Sequence, residues 1–245
     1  MPNLSRVDPR SLPQLWAWFD AMYPNGFGAA LPADAAAMAQ WNDLSGNGRH
    51  LVQATGANQP LFRLTGGPNN FPSVNFVDNT DTMQIATAGA RARPITVVGV
   101  VKNTVADDAA YHMAVTFNAQ RIGIGLDWTG ANNTFIARDD AAIMAGTTVA
   151  GDTTTYHVES FVAQPVGGTS RCGTDGTHVT VAGLAGTNTD SNVDVGTGGT
   201  VATAWIGHVC EAMVFTGELN PAIEFSLCQA LSEKWGLINS YRVAA

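Results

Sequence analysis

Apolar residues along this chain fall mostly at alternate positions or in short runs, and only one stretch carries a helical spacing. Near the end, Ile223, Leu227, Leu231 and Trp235 stand four residues apart, which gathers them on one face of a helix. Asn220 suits its N-cap, Pro221 its first position, Glu224 the positive end of its dipole and Gly236 its stop. Elsewhere the pattern predicts strands. Leu15–Phe19 is a hydrophobic run ending at Asp20, Val74–Val77 alternates, and Met83–Ala86 follows an Asp/Asn/Thr turn. Ile95–Lys102 is rich in β-branched residues and reads as buried on both faces. Tyr111–Phe117, Arg121–Leu126, Thr134–Ala137, Tyr156–Ala163, His178–Val181 and Thr203–Phe215 continue the series. Turn signals separate them at Gly130-Ala131-Asn132-Asn133, Gly167-Gly168 and Asp175-Gly176. The Ala-rich run Ala33–Ala39 fits a short helical turn or a loop. Gly183–Thr200, rich in Gly, Thr, Asn and Asp, reads as a long exposed loop. About ten short strands and one terminal helix predict an all-β, two-sheet antiparallel sandwich with a C-terminal α-helix. With no repeat and no charged or Pro-rich linker, residues 1–245 read as one domain.

Composition sharpens this picture. The chain is 45% apolar but only 13% charged, with 26 glycines and 11 prolines, which suits turns and strands rather than exposed helices. Twelve basic against twenty acidic residues give −8, and the two lysines are Lys102 and Lys234, so no nucleic-acid partner is expected. Ile95–Val101, the longest apolar stretch, is too short to span a bilayer, so no membrane insertion is expected. Met1-Pro2-Asn3-Leu4-Ser5-Arg6 has no apolar core of a Sec-type signal, which predicts a product made in the cytoplasm and not exported by that route. Cys172, Cys210 and Cys228 are odd in number and far apart, and read as small buried hydrophobes.

Three blocks in order carry a family resemblance. The first is Leu15-Trp16-Ala17-Trp18-Phe19-Asp20-Ala21, followed by Trp41-Asn42-Asp43-Leu44-Ser45-Gly46-Asn47-Gly48-Arg49-His50. The second is Gln59-Pro60-Leu61-Phe62 with Pro72-Ser73-Val74-Asn75-Phe76, ahead of Pro94-Ile95-Thr96-Val97-Val98. The third is Ile206–Phe215 leading into the helix that ends Lys234-Trp235-Gly236-Leu237. Together they resemble the concanavalin A-like lectin/glucanase superfamily, specifically the laminin-G-like jelly rolls of bacterial and phage proteins, over almost the whole chain. Read physically, the blocks are scaffold. Trp41 and Leu44 plug a sheet edge, while Asp43, Ser45 and Asn47 bond their own backbone in a tight turn with Gly46 and Gly48.

The glucanase branch of that superfamily uses carboxylates two residues apart on one strand. The five glutamates here (Glu159, Glu211, Glu218, Glu224 and Glu233) show no such spacing, so a non-catalytic chain is expected. His157 and Glu159 share a strand face and read as solvated residues on an exposed sheet. The resemblance also implies Ca²⁺ on loops; Asp78-Asn79-Thr80-Asp81 and Asn188–Asn192 offer oxygen ligands, and ordinary turn chemistry explains both as well. A sugar site wants an aromatic platform beside planar polar groups. Trp128, next to Asp127 and the Gly130–Asn133 loop, reads as such a platform or as a core tryptophan; Arg121, Arg138 and Asn132 supply polar groups, with Tyr111 and His112 on the same sheet.

The resemblance implies a carbohydrate-binding or adhesion module. With no Sec signal, the expected setting is the surface of a phage-type virion, as a decoration, head-fibre or tail-associated protein freed by lysis. Its partners there would be cell-surface polysaccharide and other virion proteins, in a homo-oligomer. A purely structural capsid or tail role is the alternative, since low charge suits burial in an assembly; a glycosidase or lyase is the third reading.

Overall fold

The computed structural model describes residues 8–85, 91–105, 111–117, 122–127, 134–139, 142–143, 150–182, 189–190, 192–196 and 204–237. The first strands are β1 (Leu15–Asp20), β2 (Gln40–Trp41), β3 (Leu51–Val52), β4 (Leu61–Arg63), β5 (Ser73–Phe76) and β6 (Met83–Ile85). Then come β7 (Arg91–Ala92), β8 (Ile95–Asn103), β9 (Tyr111–Phe117), β10 (Ile122–Asp127), β11 (Thr134–Asp139) and β12 (Ala142–Ile143). The last are β13 (His157–Ala163), β14 (Thr169–Thr174), β15 (Thr177–Ala182), β16 (Thr189–Asp190), β17 (Val193–Val195) and β18 (Gly207–Phe215), followed by helix α1 (Pro221–Trp235).

Among the described residues these form two eight-stranded antiparallel sheets. One runs β15-β14-β13-β8-β18-β5-β4, with β1 also on β18; the other runs β12-β11-β10-β9-β17-β6-β3-β2. β16 pairs separately with β7. The chain is thus a mostly β, two-sheet sandwich closed by one C-terminal helix, as the strand spacing predicts. Alternation sorts side chains into two cores. Phe19, Phe62, Phe76, Ile95, Val97, Phe117, Phe135 and Phe161 fill the space between the sheets. Trp18, Val98, Val100, Val158, Met213 and Phe215 face outward, where Leu227, Cys228, Leu231 and Trp235 of α1 cover them. At about 1.5–3 kcal/mol for each large apolar side chain buried, that second core is a large part of what holds the helix down.

The helix follows its sequence signals. The Asn220 Oδ1 accepts from the Ala222 N–H at 2.9 Å, and Gly236 ends the helix at φ +68°, the left-handed conformation that favours glycine. Glu224 does more than complement a dipole: it is buried and receives the Arg171 Nε at 2.6 Å, while the Arg171 Nη1 reaches Glu218 at 2.6 Å. The Asp43 turn is also as read. Its carboxylate accepts from the N–H groups of Ser45 and Arg49, each at 2.9 Å, and from the Trp18 N–H of β1 at 3.0 Å. Trp41 and Leu44 are buried, as are all three cysteines.

Two expectations change. Of the two readings of Ala33–Ala39 the loop holds, with Ala37 bridging Leu61 in an isolated β-contact. The stretch Gly183–Thr200 is not simply an exposed loop: Val193–Val195 is a fully buried strand in the middle of the second sheet, between β9 and β6. His157 and Glu159 do share a face of β13, but that face is the sandwich interior, and both are buried. Three residues of alternation do not stand out in a Gly/Thr-rich run, and which side of β13 is dry depends on the opposite sheet.

Candidate functional site

A cavity among the described residues lies on the outer side of the first sheet, between β1 and α1. It holds about 330 Å³, within the small end of the range for small-molecule sites. β1 alternates Ala17 and Phe19 into the sandwich, leaving Trp18 and Asp20 facing the helix. Asp20 then starts a tight turn: its Oδ1 accepts from the Met22 N–H at 2.8 Å, and its carbonyl from the Tyr23 N–H at 3.0 Å. That turn brings Tyr23 and Phe27 to the mouth, where they remain 38% and 50% exposed. The Phe27 ring lies 5.0 Å from Tyr23 and 5.8 Å from Trp18, centroid to centroid. From the N-terminal side, the Arg10 guanidinium rests 5.2 Å over Phe27 and is paired with Asp8 at 2.8 Å.

Below the aromatics is a buried ionic group. Asp20 and Glu211 are register partners across β1 and β18. The Lys234 ammonium of α1 donates to Asp20 Oδ2 and Glu211 Oε2, both at 2.6 Å. Glu211 also accepts from the indole N–H of Trp18 at 2.8 Å and of Trp235 at 2.7 Å. Burial works against the Lys234 charge, but the Glu211 and Asp20 carboxylates outweigh it and hold its pKa above the ordinary lysine value. Burial pushes the Glu211 carboxyl up against the pull of Lys234. With every Glu211 oxygen occupied, these groups hold the helix and shape the pocket floor.

A second polar cluster sits at the end of β13. The His157 Nδ1 is 2.5 Å from Asp175 and its Nε2 is 3.2 Å from Asp152, while its ring lies 4.2 Å from Phe135. Burial opposes the imidazolium, yet Asp175 and Asp152 together raise its pKa. Asp152, despite partial burial, is lowered to about 2 by the Thr155 and Thr154 donors and by His157. Glu159 is enclosed by the two sheets, which raises its pKa well above the carboxylate range. This cluster ties the start of β13 to Asp152 and Asp175.

Of the sequence-predicted site residues, Arg121, Trp128 and Asn132 lie outside the described residues. The main chains of Asp127 and Arg138 are described, and they stand at opposite ends of the β10–β11 hairpin: Asp127 pairs with Thr134, whereas Arg138 pairs with Gly123. Four residues of strand, about 13 Å, separate those two rungs. Tyr111 is opposite Asp127, and His112 is buried with its Nδ1 2.6 Å from the Ala204 carbonyl. At the first proposed calcium segment, Asp78 Oδ1 takes the Thr80 N–H and hydroxyl at 2.7 Å, and Asp81 Oδ2 takes the Val77 N–H at 2.6 Å. The second, Asn188–Asn192, lies partly outside the described residues. Among the described residues no group of three His, Cys, Asp or Glu side chains is arranged to hold a metal.

The sequence reading passed over the β1–α1 pocket. Its signals were there: Glu211 is a lone charge in an apolar strand, and Lys234, one of two lysines, adjoins Trp235 on the buried stripe.

The architecture defines an all-β, two-sheet antiparallel sandwich. Solved structures share it. The chain is similar to a Trypanosoma rangeli sialidase bound to the inhibitor DANA, with TM-score 0.53 and 13% identity over 84% of this chain and 34% of that one. It is similar to Domain 4 of AbnA, a GH43 extracellular arabinanase of Geobacillus stearothermophilus, in complex with arabinotriose: TM-score 0.57, 11% identity, 81% of this chain and 99% of that one. A GH54 α-L-arabinofuranosidase matches with TM-score 0.60 and 16% identity, over 80% of this chain and 51% of that one. The chain therefore spans about a third of the sialidase and half of the arabinofuranosidase, and at these identities the fold is what is shared. No protein-family model and no curated protein sequence matches the chain. The expectation of a non-enzyme is overturned here: sandwiches of this shape occur within a sialidase, an arabinanase and an arabinofuranosidase, so a missing strand of spaced carboxylates is no ground for denying catalysis.

Proposed function

We propose that the chain is a carbohydrate-binding β-sandwich that takes a sugar in the pocket between β1 and α1. The observation that carries this reading is the mouth itself, with Tyr23 and Phe27 exposed side by side above the Lys234 ammonium. Pyranose and furanose rings present C–H faces that lie on aromatic rings and hydroxyls that take hydrogen bonds from a fixed donor. The fold comparison supports the reading, since the sialidase, arabinanase and arabinofuranosidase named above act on carbohydrates. The arabinanase domain, matched over nearly its whole length, was solved with an oligosaccharide.

A glycan array followed by titration calorimetry tests it. Binding to a defined glycan is expected, with Phe27→Ala and Tyr23→Ala each weakening it about tenfold or more at unchanged melting temperature. No binding to any glycan would defeat the proposal. Reducing-end release from the bound glycan, measured alongside, would extend it to hydrolysis. The finer setting is also proposed: a laminin-G-like module on a phage-type particle, assembled with copies of itself and contacting host polysaccharide. It rests on the sequence resemblance, and the protein composition of purified particles tests it.

A further inference from the structure

The pocket floor has a charge pattern that discriminates among sugars. Lys234 is the polar group of that floor within a ligand's reach: its side chain keeps 21% of its surface, against 1% for Asp20 and 1% for Glu211. An ammonium has three N–H donors and no acceptor. Two of the three are taken by Asp20 and Glu211, which leaves one for a ligand oxygen.

The balance around that donor is one positive charge held against two buried negative ones. At the rim, Arg10 and Asp8 cancel in a two-pronged pair, with the Arg10 Nε 3.0 Å from Asp8 Oδ1 and Nη2 2.8 Å from Oδ2. Among the described residues, no cation of this pocket is therefore spare. An acidic sugar reaching Lys234 would bring a third carboxylate beside Asp20 and Glu211, in surroundings where water screens poorly. A neutral hydroxyl accepts the remaining proton and leaves every existing ion pair in place.

Building on the carbohydrate reading above, we infer that this pocket selects a neutral sugar over an acidic one, its hydroxyl accepting from Lys234 while its apolar face lies on Phe27 and Tyr23. Uronic and sialic sugars are discriminated against.

The test is calorimetry on the whole chain at physiological salt with matched oligosaccharides: galactose against galacturonic acid, glucose against glucuronic acid, and a sialylated against an unsialylated glycan. The neutral member of at least one pair should bind ten times more tightly than its charged counterpart, and Phe27→Ala, an exposed position, should weaken that binding at least tenfold. Equal or tighter binding of the charged members would overturn the neutral selection while leaving the carbohydrate reading intact. Neutral binding unaffected by Phe27→Ala would overturn the inference by removing the pocket from it. Failure of every sugar to bind would overturn both.

Discussion

Asp20 and Glu211 face each other across β1 and β18, and their carboxylates accept from one ammonium, Lys234, at equal distances of 2.6 Å. The three residues join the first strand, the last strand and the terminal helix at one point. Removing the cation leaves two buried carboxylates opposed, a mechanism that typically costs about 3–5 kcal/mol. Lys234→Met should therefore lower the unfolding free energy by about that much in a denaturant titration at pH 7. The triple variant Asp20→Asn, Glu211→Gln, Lys234→Met should recover part of it. A loss below about 1 kcal/mol for Lys234→Met would show that the charges are not buried together.

Asp194 crosses the second sheet in register with Gln84 on β6 and Thr116 on β9. The Gln84 Nε2 serves its Oδ1 at 2.7 Å, while its Oδ2 and the Thr116 hydroxyl are buried without hydrogen-bond partners among the described residues. Burial, against the pull of Gln84, raises its pKa from 3.8 to about 6. The folded state thus holds this proton more tightly than the unfolded one. The resulting contribution is fully present below about pH 4 and lost as pH rises through 6. Asp194→Asn should stabilise the chain by about 2–3 kcal/mol at pH 7.5, with the gain vanishing near pH 4. Thermal melts of both proteins across that range check the sign.

Two histidines pull stability in opposite directions. Burial, with Lys102 and Arg63 nearby, lowers the His208 pKa from 6.5 to about 4, so its contribution holds above pH 6.5 and is lost as pH falls through 4. His157, raised above 6.5 by Asp175 and Asp152 against its burial, contributes fully below pH 6.5 and loses that contribution as pH rises through its folded value. In melts from pH 4 to 9, His208→Gln should lessen the acid loss of stability, by up to about 3 kcal/mol. His157→Gln should cost more at pH 5.5 than at pH 9. Parallel curves for either variant would contradict its assignment.

Asp43 ties the 43–49 turn to β1 through the buried Trp18 N–H. Asp43→Ala strands that donor and those of Ser45 and Arg49, and should cost about 2–4 kcal/mol by chemical denaturation. Because Trp18 lines the pocket, glycan affinity should fall as well, and Asp43→Asn should restore part of both.

Much of the scaffold was legible along the chain because its signals are local. The terminal helix has its cap, stripe and stop within seventeen residues, Asn220 to Gly236. The Asp43 turn has its acceptor and two of its donors within seven residues, Asp43 to Arg49. The long strands β8, β9, β13 and β18 declare themselves by β-branched and aromatic runs. Short strands such as β2, β3 and β17 do not, because two or three residues carry no period and depend on the strands beside them.

The sequence alone determined a β-rich chain of alternating strands, an amphipathic terminal helix and a glycine-bearing turn after Trp41. Tertiary structure decided where the charges go. Strict alternation would turn Glu211 to the same side as Val209, into the sandwich; a register shift between them on β18 leaves Val209 inside and turns Glu211 out beneath α1. There it meets Trp18 and Lys234, with Asp20 across the strand pair. A bulge depends on how two strands settle against each other, and the Asp20–Lys234 contact spans 214 positions of chain. Neither leaves a mark in any local window of residues, and so the pocket emerges only once the sheets and helix have packed.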